Sequence, residues 1–557
     1  MATRSKALST RILVVGGGPV GLTLAMDLAS RGVEVVVAEQ RAAGEPPSVK
    51  CNHVAARSME LFRRLGLAAR LRDTGLPADF PNDCAWRITS TGRELSRIPI
   101  PSRRDRYTAT DGPDTWWPTP EPPHRINQIY MEPVLFAHAR AMPQITLLNR
   151  VQVESVAQDA AGVTATARDL DSGETLSIAA DYAVGCDGAR SLVRHAIGAS
   201  LAGTPVIQRV QSTYIRAPGL LARMGEPAWM TLSLNPRRCG TVVAIDGRET
   251  WLIHNHLNRE EETFDNVDRD ASIRNILGVG PELDYEILSK EDWVGRRLVA
   301  DRFRNERMFI CGDAAHLWMP YAGYGMNAGI ADAANLAWLL SGVVQGWAAP
   351  AILDAYAAER QPITEQVSRF AMDMALKVLA QRRGVPEDIE RPGPEGEAVR
   401  ERVGREAYDL NVQQYCCGGL NFGYFYDRSP IIAYDGAAAP AYTMAEFTPS
   451  TVPGCRVPHV WQGQGRSLYD GLGPGYTLLR LDRTADVTPL KAAAETVGMP
   501  LAIVDVTGEA AGKAYDRKLV IVRTDQHVAW RGDRVPDDAA GLVDLLRGAK
   551  MSAQAAG

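Results

Sequence analysis

Arg11-Ile12-Leu13-Val14-Val15-Gly16-Gly17-Gly18-Pro19-Val20-Gly21-Leu22-Thr23-Leu24-Ala25 is the stretch on which the fold turns. Its consecutive apolar, mostly β-branched residues predict a strand buried in a parallel sheet, and Pro19 to Ser30 follows with helical spacing. Between them lies Gly16-x-Gly18-x-x-Gly21. In that spacing the first glycine makes a tight turn, the second lets a pyrophosphate approach bare backbone, and the third brings helix and strand together. The helix start offers phosphates its free N–H groups and the positive end of its dipole. A second strand, Val33 to Glu39, ends in a carboxylate about 20 residues on, where the dinucleotide motif needs an acceptor for ribose hydroxyls. GxGxxG alone is a weak signal, but strand, turn, helix, strand and Glu39 in register predict a dinucleotide site. Arg41 could meet a 2′-phosphate, yet Glu39 would repel it, so FAD or NAD is expected there.

Composition narrows the class. A chain of 557 residues exceeds what one core usually holds, so two or three domains are expected. Charged residues make up 23% with a net charge of -5, both signs interspersed, which argues against nucleic acid or an anionic membrane as the main partner. The apolar run after the basic first ten residues is short and enters the glycine turn. It reads as neither signal peptide nor membrane span, and a cytoplasmic location is expected. Cys51, Cys84, Cys186, Cys239, Cys311, Cys416, Cys417 and Cys455 lack CxxC or metal spacing and read as reduced thiols. No HExxH and no GxSxG elbow occurs, and no metal site is expected.

Along the chain, Asn52 to Leu65 reads as a helix. The loop from Asp79 to Pro123, rich in Pro and Arg with Trp116-Trp117 near prolines, is long enough to suggest a lid or rim over a site. Asn127 opens a helix to Ala141, and the pieces at 145–149, 151–156, 162–168 and 174–179 read as an antiparallel meander. A strand then runs into Asp187-Gly188, followed by Arg190, Ser191 and Arg194. Alternating segments from Val206 to His256 predict a twisted sheet that could floor a pocket. The third landmark is the strand ending at Gly312-Asp313, with a glycine-rich turn and an Ala-rich helix from about Asn327. A carboxylate at such a strand end can bind a ribitol or ribose hydroxyl. After a helix ending near Gln381, residues 382–406 read as a polar linker or helical extension, and the strand and helix order of the tail suggests a small α/β domain.

Together, GxGxxG with Glu39, Asp187-Gly188 with its following Ser and Arg, and Gly312-Asp313-Ala314-Ala315-His316 with a downstream Gly-Met-Asn resemble the class A flavoprotein aromatic hydroxylases, the p-hydroxybenzoate and phenol hydroxylase family. The resemblance covers roughly residues 10 to 380, and Lys50-Cys51-Asn52-His53, Asn127 to Glu132 and the tail look most like the bacterial phenol and polyketide-tailoring branch. It implies an α/β fold: a GR2-type Rossmann-like FAD-binding domain (1–200 and 295–385), an inserted mainly antiparallel substrate sheet with loops (80–125 and 200–294), a linker (386–440), and a thioredoxin-like C-terminal domain (441–557). That tail lacks CxxC, so packing or dimerisation is expected of it rather than redox work. By resemblance, Gly16, Gly18, Pro19, Val20 and Gly21 meet the FAD pyrophosphate and Glu39, Gln40 and Arg41 the adenosine ribose. Arg57 and Gln128 lie along the ribityl and pyrophosphate chain, Gly312 and Asp313 bind cofactor hydroxyls, and Pro320 sits beside the flavin ring. The backbone of Gly325, Met326 and Asn327 holds the pyrimidine edge, while Asp187-Gly188 serves both FAD and a passing NAD(P)H. Where the family usually has Pro-Pro-x-Gly-Gly-Gln, this chain has Met319-Pro320-Tyr321-Ala322-Gly323-Tyr324.

The resemblance implies an NAD(P)H-dependent monooxygenase, often a homodimer, that hydroxylates a phenolic ring through a flavin C4a-hydroperoxide while the protein positions the ring and excludes water. A phenol has a pKa of about 10, so a base or strong acceptor is needed. Related enzymes often carry an Asp a few residues before the arginine matching Arg57. Here Asn52 and His53 stand in that region, an amide cannot be the base, and His53 is the candidate, against a histidine that merely bonds backbone at a helix start. Tyr214, His254, His256, Trp229, Trp251 and Trp293 could face the pocket, with core packing the plainer reading of each, and His316 is expected to order its turn. Alternatives are epoxidation or Baeyer–Villiger insertion on a polyketide, electron transfer without oxygen insertion, and an FAD-binding sensor.

Overall fold

Strand Lys6–Val15 lies at the centre of an eight-stranded sheet, paired in parallel with Val35–Glu39 on one side and Thr175–Gly185 on the other. The computed structural model describes residues 6–506 and 514–550, so the outermost limits expected for the first and last domains lie outside it. Both faces of the central strand are covered, which is why Ile12, Leu13 and Val14 are wholly buried and why the run is apolar without alternation. Met308–Ile310 extends the parallel array beyond Thr175–Gly185, and Ile145–Asn149 extends it beyond Val35–Glu39. Three adjacent parallel strands thus end on one edge, and their next residues are the three motifs: Gly16 to Gly21, Asp187-Gly188 and Gly312-Asp313. Ligands of open α/β sheets bind at that carboxyl edge.

The expected meander is corrected in part. Ile145–Asn149 belongs to the parallel array, and only Val151–Gln158, Val163–Asp169 and Thr175–Gly185 run antiparallel, the last being one continuous strand. Helix Ala56–Arg64 begins four residues later than its periodicity suggests. Val54 instead exchanges backbone hydrogen bonds with His124 (2.8 and 2.9 Å), which holds the preceding residues extended.

The second eight-stranded sheet has the order His316–Trp318, Glu286–Ala300, Leu201–Arg216, Thr250–Leu257, Gly240–Ala244, Met230–Ser233, Cys84–Arg87, Glu94–Ile98. Its edge strand, His316–Trp318, pairs with Arg297–Val299. That segment follows Asp313 directly, so one turn joins the two sheets. Beyond the long helix Asp354–Arg383, helix Pro394–Tyr415 lies against Glu94–Ile98, where a Cβ on Gly404 would sit 2.3 Å from the Leu95 carbonyl.

The tail forms a mixed, thioredoxin-like sheet in the order Leu501–Asp505, Tyr476–Arg480, Leu519–Arg523, Val528–Gly532. It shares the first domain's core: Tyr476 meets Trp338 edge-on at 5.6 Å. Arg523, wholly buried, donates to both oxygens of buried Glu359 on the long helix (2.7 Å to Oε2) and to Asp525 (2.6 Å). Arg456 reaches Glu60 of helix Ala56–Arg64 in the same way (2.6 Å).

Candidate active site

A cleft of about 1090 Å³ opens along the carboxyl edge of the parallel strands. The three glycines there do different things. Gly16 has φ +102, and a Cβ on it would lie 2.4 Å from the Cys186 carbonyl; on Gly21 a Cβ would lie 2.0 Å from the Gly16 carbonyl. Those two permit the turn and the helix contact. Around Gly18 a Cβ would meet nothing within 4 Å, so its backbone faces open space at the start of helix Pro19–Ser30. That is the arrangement a pyrophosphate requires.

At one end of the cleft the Glu39 carboxylate accepts from Gly17 N (2.7 Å) and from the backbone and side chain of Arg41 (2.8 and 3.2 Å). Arg41 also pairs with Glu132 (2.6 Å), whose other oxygen takes Gln128 Nε2 (2.8 Å). Arg41 is therefore neutralised twice over and has no charge to spare for a 2′-phosphate. Glu39, Gln40, Arg41, Gln128 and Glu132 all line the cleft. Further along, Asp187 Oδ2 accepts from Leu192 N (2.7 Å) and Val193 N (3.2 Å), while its Oδ1 is buried with no partner. The exposed Asp313, together with Met326 and Glu291, also lines the cleft, Glu291 coming from the second sheet. A buried carboxylate oxygen without a donor, open backbone at Gly18 and a free carboxylate at Asp313 fit a long cofactor with a pyrophosphate and hydroxyl groups. Gly16, Gly18, Pro19, Val20 and Gly188 line the same cleft. Gly312 lies just behind it, its Cα 2.8 Å from where a Cβ on Gly329 would be.

Other expected residues stand elsewhere. Arg57 does not line this cleft: it points to the C-terminal domain, donates to the Asp525 carbonyl (2.9 Å) and lies over the Tyr424 ring at 5.2 Å. Its pKa is pushed further upward by Tyr424 and Glu60 against the cost of burial. The register of its helix aims position 57 at the tail and not along the cleft, where the pyrophosphate chain is expected. Asn327 uses its side chain as a brace: Oδ1 accepts from Ala55 N and Ser58 Oγ (2.8 Å each), and Nδ2 donates to the carbonyls of His53 (3.1 Å) and Gly323 (2.6 Å). Beside it Gly325 faces open space. Asn52 is held by the Asn127 side chain at the start of helix Gln128–Ala141. Pro320 is exposed, at the head of a turn in which Ala322 takes φ 58. Tyr214, half-buried, packs against the second core with Tyr130 and Ile129.

His53 is buried, and its ring packs on Gly323, where a Cβ would meet Cδ2 at 2.7 Å. Arg125 Nη1 donates to its Nδ1. With Nδ1 an acceptor the ring proton sits on Nε2, so the edge left free is a donor. Burial, and then the Arg125 and Arg106 charges, hold the His53 pKa well below the imidazole range. With Nδ1 taken by Arg125 and the ring proton on Nε2, no free lone pair faces a phenol proton, so this geometry does not support the base role expected for His53. His316 orders its turn through Asp332 (2.8 Å), which also holds Arg360 (2.8 Å) and Gly312 N (3.2 Å). On the second sheet His254 Nδ1 meets Ser212 Oγ (2.7 Å), which also accepts from Trp293 (2.8 Å), and Trp251 is buried in the core.

Sequence reasoning missed Arg125, Glu132 and Glu291. The Arg41–Glu132 pair spans too many residues to be seen as a pattern. Arg125 does stand three residues before the singled-out Gln128, between prolines and a helix start, and that position was the available clue.

The FAD binding domain family matches residues 9–371, and the aromatic-ring hydroxylase C-terminal family matches residues 450–549. FAD-dependent monooxygenase apdD of Emericella nidulans is 30% identical, with 94% of this chain and 88% of that protein covered. Phenol 2-monooxygenase of a Pseudomonas species is 28% identical over 98% of this chain and 93% of its own length. The solved structure of the rebeccamycin biosynthetic enzyme RebC with reduced flavin superposes with a TM-score of 0.88 at 33% identity, covering 98% of this chain and all of that one. Matched over both its FAD cleft and its tail, the chain belongs to the class A flavin hydroxylases and is an FAD-dependent aromatic monooxygenase.

Proposed function

We propose that this enzyme uses NAD(P)H and O2 to hydroxylate an electron-rich, phenolic aromatic ring held between the FAD cleft and the second sheet. The observation that carries the reading is the segment from Gly312 to Trp318: its first residues border the cofactor cleft and its last are the edge strand of the second sheet. A ring seated on that sheet is brought to the cofactor by one short stretch of backbone. Bound FAD, once reduced, supplies the oxygen-activating chemistry. The chain's own residues bind and orient. Gly18 and the helix start take the pyrophosphate, Glu39 a ribose, and Asp187 Oδ1 and Asp313 cofactor hydroxyl or N–H groups. The Asn327 brace holds residues 53–58 against the turn after Pro320, which fixes the wall at the flavin edge. His53 Nε2–H is a donor to a substrate oxygen. The loop carrying Trp116 and Trp117 serves as the rim, since Trp117 packs edge-on to Phe422 at 5.9 Å and Tyr324 OH donates to Leu420 O (2.9 Å) in the same short helix. In this reading the enzyme is cytoplasmic and homodimeric, and no helix among the described residues is long and apolar enough to cross a membrane.

The test is a screen of substituted phenols with purified, FAD-loaded protein, following NADPH and NADH oxidation, peroxide and product mass under 18O2. Substrate-stimulated oxidation with one labelled oxygen retained in a hydroxylated ring is the expected result. Reduction without label in any product would leave a flavin reductase. A second reading, tailoring of a polycyclic natural product by hydroxylation, epoxidation or Baeyer–Villiger insertion, is favoured by the likeness to RebC, and NMR of the product separates these outcomes.

A further inference from the structure

Arg125 is an arginine in an unusual position. It is 5% exposed, its guanidinium lies over the Trp229 ring at 4.5 Å, and Nη1 donates to His53, yet Nη2 is buried with no partner. Among the described residues no carboxylate pairs with it. The carboxylates that share its surroundings at Cys84 are taken: Asp114 by Arg106 and by Trp117 Nε1 (2.8 Å), and Asp83 by Arg97 (2.8 Å). Arg106, 7% exposed, adds two more guanidinium nitrogens, Nε and Nη2, without partners. Of these two buried arginines only Arg106 has a carboxylate partner, Asp114.

An uncompensated buried charge is costly, and proteins resolve it by pairing. Among the described residues nothing supplies that partner, which points to an anion from outside them. Its place is decided by what Arg125 touches: His53, which packs on Gly323 of the turn at the flavin edge, and Trp229, which leads into strand Met230–Ser233 of the second sheet. We propose that Arg125 is the seat for an anionic oxygen on the aromatic substrate, a phenolate or a ring carboxylate, with Trp229 beneath it and Arg106 strengthening the field. This rests on the hydroxylase reading and deepens it. With no carboxylate placed as a base and His53 a donor, the positive seat itself favours the ionised phenol, the more reactive nucleophile toward an electrophilic oxygen. His53 Nε2–H then gives the same oxygen a second hydrogen bond. For a carboxylate, the same donors fix the ring's orientation instead.

The probes are 2-naphthoate, 2-naphthol and the neutral 2-naphthamide, titrated into oxidised holoenzyme and read by flavin and naphthol absorbance. The expected result is that an anion-forming probe binds about tenfold or more tightly than the amide, that Arg125→Met removes this preference, and that Arg125→Lys keeps part of it. Appearance of the naphtholate band on binding identifies a phenolate seat; preference for naphthoate alone identifies a carboxylate seat. Added guanidinium should restore the preference in Arg125→Ala. The proposal is overturned if no anion perturbs the spectra, if wild type binds amide and anions alike, or if Arg125→Met, shown to be folded and flavin-loaded by its spectrum, retains the preference. A charge preference that Arg125→Met abolishes, in an enzyme that never incorporates 18O, would keep the anion seat and sink the hydroxylase reading instead.

Discussion

Glycines 18 and 21 lie three positions apart in the same motif, and their surroundings assign them opposite sensitivities. Gly18 has φ -75 and open space where a Cβ would go, so Gly18→Ala should leave the fold and its Tm unchanged while FAD affinity falls by about tenfold or more, as read by flavin release on dilution. Gly21→Ala drives a Cβ into the Gly16 carbonyl, so it should lower stability by about 1–3 kcal/mol in urea unfolding of the apoprotein as well as lose the flavin. Equal effects of the two substitutions would mean that the cleft has been assigned to the wrong face of the turn. Spacing alone made these two roles legible, because the motif's geometry is local. The direction of Arg57 was not legible: whether a helical arginine turns to a cofactor or to a distant domain depends on packing that a linear pattern does not contain.

Among the elements, the turn from Pro320 to Tyr324 carries two successive left-handed residues. Ala322 adopts φ 58, where an L side chain crowds its own carbonyl, and it does so next to Gly323 at φ +63. Ala322→Gly should relieve up to about 1 kcal/mol of that strain after allowing for glycine's greater freedom when unfolded, seen as a higher urea midpoint. A loss of stability would show that the Ala322 methyl, buried against its cluster, matters more than the backbone. The central strands Lys6–Val15 and Val35–Glu39 were readable in advance from their apolar runs, whereas Ile145–Asn149, largely half-buried at the end of the array, was not. Strand Glu286–Ala300 was not, because its first half is exposed and polar, with Ser289, Lys290, Glu291 and Asp292 in sequence, and pairing with Leu201–Arg216 is what makes it a strand. Glu291 reaches the cofactor cleft from that unread element.

Across the whole molecule, several charges have left water, and breaking one of their pairs is costly. Arg523→Met should cost about 3–5 kcal/mol, because it leaves the Glu359 carboxylate buried with a hydroxyl and an amide but no cation, and the double variant with Glu359→Gln should recover part of it in urea titrations. Buried histidines set the response to acid. The pKa of His124 is lowered to about 3 and those of His254 and His459 to about 4, in each case chiefly by burial, while His53, His256 and His527 lie well below 6.5. Unfolded, these rings would take up protons near pH 6.5, so between about pH 6.5 and 4 the unfolded chain binds more protons than the native one and stability falls with falling pH. Tm measured across that window should drop by more than a single titrating site explains, and a flat profile would show that these imidazoles are hydrated.

The seam between the first and last domains has a further meaning for how the enzyme can be divided. Glu359 finds its cation in Arg523, Glu60 is bonded by Arg456, and Trp338 is packed edge-on by Tyr476, all beyond residue 450, so a shortened chain keeping every flavin contact would expose a buried carboxylate without its cation and part of an indole to water. Such a fragment should collect in inclusion bodies, and the thioredoxin-like portion, stripped of any thiol pair, acts as a keystone that the oxygenase cannot shed.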